Sequence, residues 1–159
     1  MKIKMNIFIL ILTFLLSPSM FSTTDQPIAF DTPVGYWKTI DDKTGETKSI
    51  VEIYLTSDGT LKGKIVKIFP KPNVPPNPKC LKCKGEFYNK PILGMEFMWG
   101  FKGKGTEWKD GKILDPHNGS IYNCQLEMDK DGKKLNVFGY IRVLFKVGRS
   151  QTWIRQIEI

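Results

Sequence analysis

Short stretches in which apolar and polar residues alternate run through this chain from residue 34 onward. Val51, Ile53 and Leu55 lie on one face of such a stretch, and the same alternation continues over residues 121–128 and 134–143. A repeat at every second position is the period of a β-strand with one buried face. After the first 22 residues, no window of helical length carries an apolar repeat near 3.6 residues. The pattern predicts an all-β, mostly antiparallel fold.

Turn-forming residues divide these stretches at short and regular intervals. Asp58-Gly59, Asp110-Gly111 and Asp131-Gly132 each stand between two alternating segments, where a hairpin turn is expected. About eight such strands fit a small closed or nearly closed barrel, which is just wide enough to hold one ligand. In this interpretation Glu107-Trp108 and Ile113-Leu114 form two short strands around the Asp110-Gly111 turn.

The first and last predicted strands carry residues that suit a closed sheet. Gly35-Tyr36-Trp37 begins the first strand, and Trp153-Ile154-Arg155 lies in the last. An arginine guanidinium stacks favourably on an indole face when the two strands are neighbours. We therefore assign Trp37 and Arg155 structural roles at the point where the barrel closes on itself.

The N-terminal residues have the order of a secretory signal peptide. Lys2 and Lys4 precede an apolar run at residues 7–16, and small residues follow at residues 17–22. The run is shorter than the roughly 20 residues that a membrane-spanning helix needs. We expect a signal peptide at residues 1–22, with an uncleaved anchor as the alternative. A flexible lead-in over residues 23–33 and a single barrel domain over residues 34–159 then follow.

Export places the mature protein in the periplasm or outside the cell, without an integral membrane span. The formal net charge is +8, and the lysines are spread along the whole chain. A basic surface of this kind favours solubility and lacks the clustered basic and aromatic platforms of nucleic-acid-binding proteins. Long-range attraction to anionic lipid or envelope polymer is the alternative use of the charge. We expect a monomer that binds no nucleic acid.

A long proline-containing segment, residues 70–90, interrupts the strand pattern and carries Cys80-Leu81-Lys82-Cys83. In an oxidising compartment the spacing favours a small disulfide between Cys80 and Cys83 that shapes the loop. Thiol–disulfide exchange is an alternative, although no helix pattern accompanies the pair. A metal site completed by Cys124 and His117 is another alternative. We expect no cofactor and no metal, with Cys124 as a buried thiol on the apolar face of its strand.

Aromatic residues are the best indication of binding. Phe97, Trp99, Tyr122 and Leu126 are the candidate ligand-binding residues, with the loop at residues 70–90 as a lid. Apolar walls with a few polar groups are typical of ligand pockets, and barrel mouths are a common place for them. The alternative is that these side chains fill the core or the strand surface, because periodicity does not separate the two cases.

Several segments together resemble a known bacterial family. They include Gly35-Tyr36-Trp37, the segment Trp108 to Tyr122 with its Asp115-Pro116 and Asn118-Gly119 pairs, and the segment Gln151 to Arg155. Over roughly residues 33–155 the chain resembles the domain of unknown function 2147 family. The resemblance implies a small exported protein with a lipocalin-like or calycin-like β-barrel. It implies no agreed activity, cofactor or catalytic residue.

The expected function is that of an exported, non-enzymatic envelope protein that binds a small apolar or amphipathic ligand inside the barrel. The first alternative is an interaction module whose outer surface contacts an envelope polymer or protein. The second alternative is a thiol-redox enzyme that uses Cys80 and Cys83. No residue is assigned a catalytic role.

Overall fold

The computed structural model describes residues 31–41 and 44–157. The predicted signal peptide and most of the predicted lead-in lie outside this range. The described residues form eight β-strands and one short 3-10 helix, Gly85–Phe87. The strands are β1 (Gly35–Ile40), β2 (Thr47–Leu55), β3 (Leu61–Ile68), β4 (Glu96–Lys104), β5 (Glu107–Asp115), β6 (Ser120–Met128), β7 (Lys134–Arg142) and β8 (Lys146–Gln156).

Each strand pairs antiparallel with the next one along the chain, and β8 pairs with β1 to close the barrel. The closing seam contains three residue pairs, from Tyr36 opposite Gln156 to Lys38 opposite Ile154. The predicted all-β closed barrel of about eight antiparallel strands is confirmed. Among the described residues, no helix has the length and apolar character needed to cross a membrane.

Strand β5 differs from the prediction. Asp110 and Gly111 do not form a hairpin turn between two short strands, because β5 runs continuously from Glu107 to Asp115. Asp110 has a positive φ of 60°, and the pairing with β6 shifts register between Trp108 and Gly111. A β-bulge therefore absorbs the turn-like residues inside the strand. The inward position of Gly111 leaves room for the ring of Phe101, which a Cβ atom there would overlap.

Most of the inward-facing side chains pack into one hydrophobic core. The largest fully buried members include two tryptophans and a phenylalanine, and most members come from alternate strand positions, as the period of two requires. The inward set includes Trp37, Val51, Ile53, Leu61, Ile65, Phe97, Met98, Phe101, Trp108, Cys124, Leu126, Met128, Leu135, Val137 and Trp153. Large side chains thus fill the part of the barrel that these strands enclose.

Trp37 and Arg155 lie together at one end of the barrel. The Arg155 guanidinium is 4.2 Å from the centroid of the Trp37 ring. The guanidinium also donates hydrogen bonds of 2.9 Å to the carbonyl oxygens of Thr32 and Val34. The Trp37 indole donates one of 2.7 Å to the carbonyl of Pro33, which is itself fully buried. These contacts fold residues 32–34 across the end of the barrel and close it.

Candidate ligand-binding cleft

The long β3–β4 loop, residues 69–95, is held in place by a disulfide and by backbone hydrogen bonds. Cys80 and Cys83 form the predicted disulfide, and both are buried. The Cys80 amide donates to Lys90 O at 2.9 Å, and the Asn89 amide donates to Cys80 O at 3.0 Å. A single bridge between Lys79 and Pro91 completes this compact arrangement. The loop therefore has a defined shape although it contains little regular secondary structure.

The loop makes its contacts on the outer wall of the barrel. Trp99 of β4 lies opposite Lys112 of β5, on the outward face of the sheet, and its ring stacks on Phe87 of the loop at 5.7 Å. Leu114 also points outward, yet only 1% of it is exposed. Cys80 Sγ lies 3.3 Å from Pro116 O, in the β5–β6 turn. The loop expected as a lid over the interior thus covers strands β4 and β5 from outside.

Close contact between the loop and the β5–β6 turn depends on a glycine. Gly119 has a φ of 75°, in the left-handed region, and a Cβ atom on it would overlap the carbonyl oxygen of Lys82. Only glycine satisfies both conditions, because it has no Cβ atom and adopts positive φ freely. Gly119 is therefore a point of close contact between the loop and the barrel.

A cleft of about 580 Å³ lies between the loop and the β3–β4 wall. Its apolar lining combines the stacked Phe87 and Trp99 rings with Pro91, Leu93 and Met95. Charged side chains complete the lining, and these are Lys62, Glu86, Lys90 and Glu96. An apolar surface with a few charged groups at its edge suits a small amphipathic molecule.

Two of the charged groups are already engaged with each other. Lys62 Nζ lies 3.0 Å from a Glu96 carboxylate oxygen, and the Tyr54 hydroxyl donates to the other oxygen. The hydrogen bonds from Tyr54 and then Lys62 lower the pKa of the Glu96 carboxyl. Burial, followed by the bond to Glu96, raises the pKa of Tyr54 to about 12. Near neutral pH the carboxyl is therefore ionised, the phenol is protonated and the network is intact.

Lys90 has a different environment from Lys62. Within residues 31–41 and 44–157, neither Lys90 nor Glu86 forms an ion pair with any other side chain.

A second cleft of about 430 Å³ shares Phe87 with the first and adds Lys82 and Lys84 to the same surface. The two clefts together carry four lysines and two glutamates, so the surface around Phe87 has an excess of positive charge. An excess of positive charge attracts anionic groups.

The structure separates the four predicted ligand-binding residues. Trp99 lines the first cleft, on the outer wall. Phe97 and Leu126 belong to the packed core, with the Phe97 ring 6.4 Å from that of Trp153. Tyr122 is half-buried on the inward face of β6, where its hydroxyl accepts a hydrogen bond from Asn118. Trp99 therefore lies on the opposite side of the barrel wall from Phe97, Leu126 and Tyr122.

Sequence reasoning missed the loop residues of the cleft, above all Phe87 and Lys90. The available signal was an aromatic pair, Phe87-Tyr88, inside an otherwise polar and proline-containing segment. Which strand such a residue packs against depends on the course of the whole loop. Local patterns do not carry that information.

The other candidate chemical groups lie apart from the cleft. His117 is exposed, and its backbone amide donates to Asp115 Oδ1 at 2.9 Å within the β5–β6 turn. Cys124 is fully buried in the barrel core. Within the described part of the chain, no group of three His, Cys, Asp or Glu side chains is arranged to hold a metal ion.

Burial makes the Cys124 thiol unreactive in the folded protein. Desolvation raises its pKa to about 12, so the thiolate that would attack a reagent is scarce at pH 8. We expect native protein to show no reaction with a thiol-specific disulfide reagent, and one thiol to react after unfolding in guanidinium. A fast reaction of native protein, measured by absorbance, would contradict this placement of Cys124.

The fold defines a class of protein, a small closed barrel of eight antiparallel strands in up-and-down order. The model of the family described as domain of unknown function 2147, an uncharacterized protein conserved in bacteria, matches residues 35–155. This chain belongs to that family.

A solved structure is similar to this fold. It is protein HP1028 from the human pathogen Helicobacter pylori, described as belonging to the lipocalin family. The two share 18% sequence identity with a TM-score of 0.64, and the match covers 77% of this chain and 82% of that one. At this identity the similarity shows the fold alone. A comparison with curated proteins gives no match.

Proposed function

We propose that this protein is an exported, non-enzymatic binding protein for a small amphipathic ligand with an anionic head group. The observation that carries the proposal is the Phe87–Trp99 stack in the first cleft, together with the excess of lysines over glutamates in the two clefts that share Phe87. The apolar part of the ligand lies against Phe87, Trp99 and Met95. The head group lies near Lys90, whose ammonium is not engaged by a carboxylate of the described residues.

The site differs from the one expected inside the barrel. Phe97 and Leu126 belong to the cluster of buried side chains, whereas Tyr122, which also faces inward, is half-buried and is not a member of that cluster. The outer cleft retains an apolar surface that no other described side chain covers completely, because Trp99 is only half-buried. A lipocalin-like fold is compatible with ligand binding, and here the loop on the outer wall supplies the walls of the site.

Export is supported by two observations. Residues 1–22 have the order of a signal peptide, and the Cys80–Cys83 disulfide suits an oxidising compartment. Both cysteines are buried within the loop, so we assign the disulfide a structural role.

Binding is tested with 1-anilinonaphthalene-8-sulfonate, a fluorescent probe with a planar apolar body and one sulfonate. We expect saturable binding to the native protein, with an affinity reduced at least fivefold in Lys90→Gln and further in Trp99→Ala. The loss of an exposed cation removes an electrostatic attraction, and the loss of Trp99 removes apolar contact area. Fluorescence titration at low ionic strength gives the dissociation constants.

Matched controls come from the same outer surface. Lys102→Gln removes an exposed lysine of β4 outside the cleft. Phe138→Ala removes one ring of another stacked pair, Phe138–Tyr140, on β7. Both controls should bind the probe as the parent protein does. Equal binding by the parent and Lys90→Gln, with Trp99→Ala also unchanged, would place the ligand elsewhere and overturn the proposed cleft.

Native mass spectrometry of the protein purified from its exporting host identifies the natural ligand class. An added mass that is lost on denaturation, and lost from the Trp99→Ala variant, supports the proposal. An added mass that remains in Trp99→Ala and Lys90→Gln would overturn the assignment to this cleft.

A further inference from the structure

The β7–β8 hairpin ends in an apolar tip that has no packing partner within the described residues. Val143, Leu144 and Phe145 form the turn, and they are 76%, 91% and 70% exposed. Ile141 and Val147, on the adjoining strand ends, are half exposed. We call these five side chains the tip patch.

The composition of this turn differs from that of its neighbours. The β2–β3, β4–β5, β5–β6 and β6–β7 turns each contain glycine, and three of the four also contain aspartate or asparagine. Such residues are usual in hairpin turns because they adopt the required backbone angles and are well solvated. The β7–β8 turn has three large apolar residues instead. Exposing them to water is unfavourable, so the sequence retains apolar surface at a position where the fold does not use it.

The β7–β8 hairpin also extends beyond its backbone pairing with the strands on either side of it. The β6–β7 pairing ends at Asn123 opposite Tyr140, and the β8–β1 pairing ends at Lys38 opposite Ile154. The β7–β8 pairing continues to Arg142 opposite Lys146. The end of the hairpin is therefore a two-stranded ribbon that carries the tip patch away from the barrel.

Side-chain contacts fix the position of the base of the ribbon. The rings of Phe138 and Tyr140 stack at 5.3 Å on β7. Lys146 Nζ lies 4.6 Å from the centroid of the Tyr140 ring and donates to Gln125 Oε1 at 2.8 Å. These contacts join the ribbon to β6 and fix the direction in which the tip patch points.

The charged residues that flank the tip patch along the sequence are all positive. Arg142 and Lys146 lie directly opposite each other at the base of the turn, and Arg149 follows two residues after Val147. No acidic residue occurs between Asp131 and Glu158 in the sequence. Two like charges opposite each other on a hairpin repel, and an anionic surface in front of them removes that cost.

We propose that the tip patch inserts into the interface of an anionic lipid bilayer while Arg142 and Lys146 contact the head groups. Apolar side chains bordered by basic ones are the usual composition of an interfacial membrane anchor. A narrow, convex tip of three residues suits a fluid surface that deforms around it. A second copy of this chain is a poorer partner, because its corresponding surface carries the same positive charge.

The test compares sedimentation with vesicles of phosphatidylcholine alone and vesicles in which one third of the lipid is phosphatidylglycerol. We expect the protein to prefer the anionic vesicles, and high salt to weaken this preference because the charges are screened. Leu144→Ser with Phe145→Ser should reduce binding at least tenfold, and Arg142→Gln with Lys146→Gln should do the same on the anionic vesicles only. All variants are purified from the exporting host in the same form as the parent protein, so the N-terminal residues affect every sample equally.

The controls use matched residues elsewhere on the surface. Leu81→Ser removes an apolar side chain that is 67% exposed in the β3–β4 loop, and Lys102→Gln removes a cation on β4. Neither change should affect sedimentation. In Phe145→Trp, brominated lipid should quench fluorescence more strongly than in the parent protein, which reports insertion of the tip itself.

Two results would overturn the proposal. One is equal sedimentation of the parent protein and both double variants with the anionic vesicles. The other is a dimer in analytical ultracentrifugation that dissociates in the Leu144→Ser, Phe145→Ser variant, which would assign the tip patch to contact between copies of the chain. Either result leaves the cleft around Phe87 and Trp99 unaffected.

Discussion

Trp37→Ala should lower the free energy of unfolding by about 3–5 kcal/mol, the usual cost of truncating a large buried aromatic side chain. Trp37 is fully buried, donates a hydrogen bond to Pro33 and lies beneath the Arg155 guanidinium. Its removal leaves a cavity and removes the aromatic face on which the cation rests. Urea denaturation followed by circular dichroism measures the change.

Tyr88→Ala is the matched control for this prediction. Tyr88 is also a large aromatic residue but is 60% exposed in the β3–β4 loop. Its truncation should change stability by less than about 0.5 kcal/mol. If Trp37→Ala proved no more destabilising than Tyr88→Ala, the barrel end would not depend on the Trp37–Arg155 contact.

Gly119→Ala should both destabilise the protein and weaken binding of the fluorescent sulfonate probe. The residue has positive φ, and its Cβ atom would overlap Lys82 O, so the β3–β4 loop has to move away from the barrel. The backbone strain costs about 1–2 kcal/mol. The overlap adds about 1–3 kcal/mol, as overpacking does elsewhere. Urea denaturation and probe titration on the same sample measure both effects.

Gly59→Ala separates the two contributions. Gly59 has nearly the same backbone angle, with φ 78°, but an added Cβ atom would meet nothing within 4 Å. This variant should show the strain alone and bind the probe normally. Normal probe binding by Gly119→Ala would mean that the cleft does not depend on close contact between the loop and the β5–β6 turn.

The barrel could be predicted from the sequence because side chains alternate between the inward and outward faces along each strand. Alternation placed Val51, Ile53 and Leu126 on inward faces, and Gly35-Tyr36-Trp37 with Arg155 indicated that the first and last strands are neighbours. The same rule misinterpreted Asp110-Gly111, because a β-bulge uses the residues of a turn without reversing the chain.

The candidate site is less predictable for a different physical reason. A strand position specifies a face of the sheet, and both Phe97 and Trp99 were expected to face a ligand. A bulge in β4 instead directs Phe97 into the core, while Trp99 points outward. Phe87 reaches Trp99 only because the disulfide, the Pro116 contact and Gly119 fix the loop, and such non-local contacts leave no periodic signal.

The short seam between β1 and β8 also constrains the order in which this protein folds. Arg155 contacts Val34 and Thr32 across 121 and 123 positions of sequence, whereas hairpins such as β7–β8 join residues only a few positions apart. Closing so long a segment costs conformational entropy that three residue pairs repay only in part. We therefore expect the hairpins to form first and the seam last, because β1 gains its second neighbour only after β8 has been synthesised.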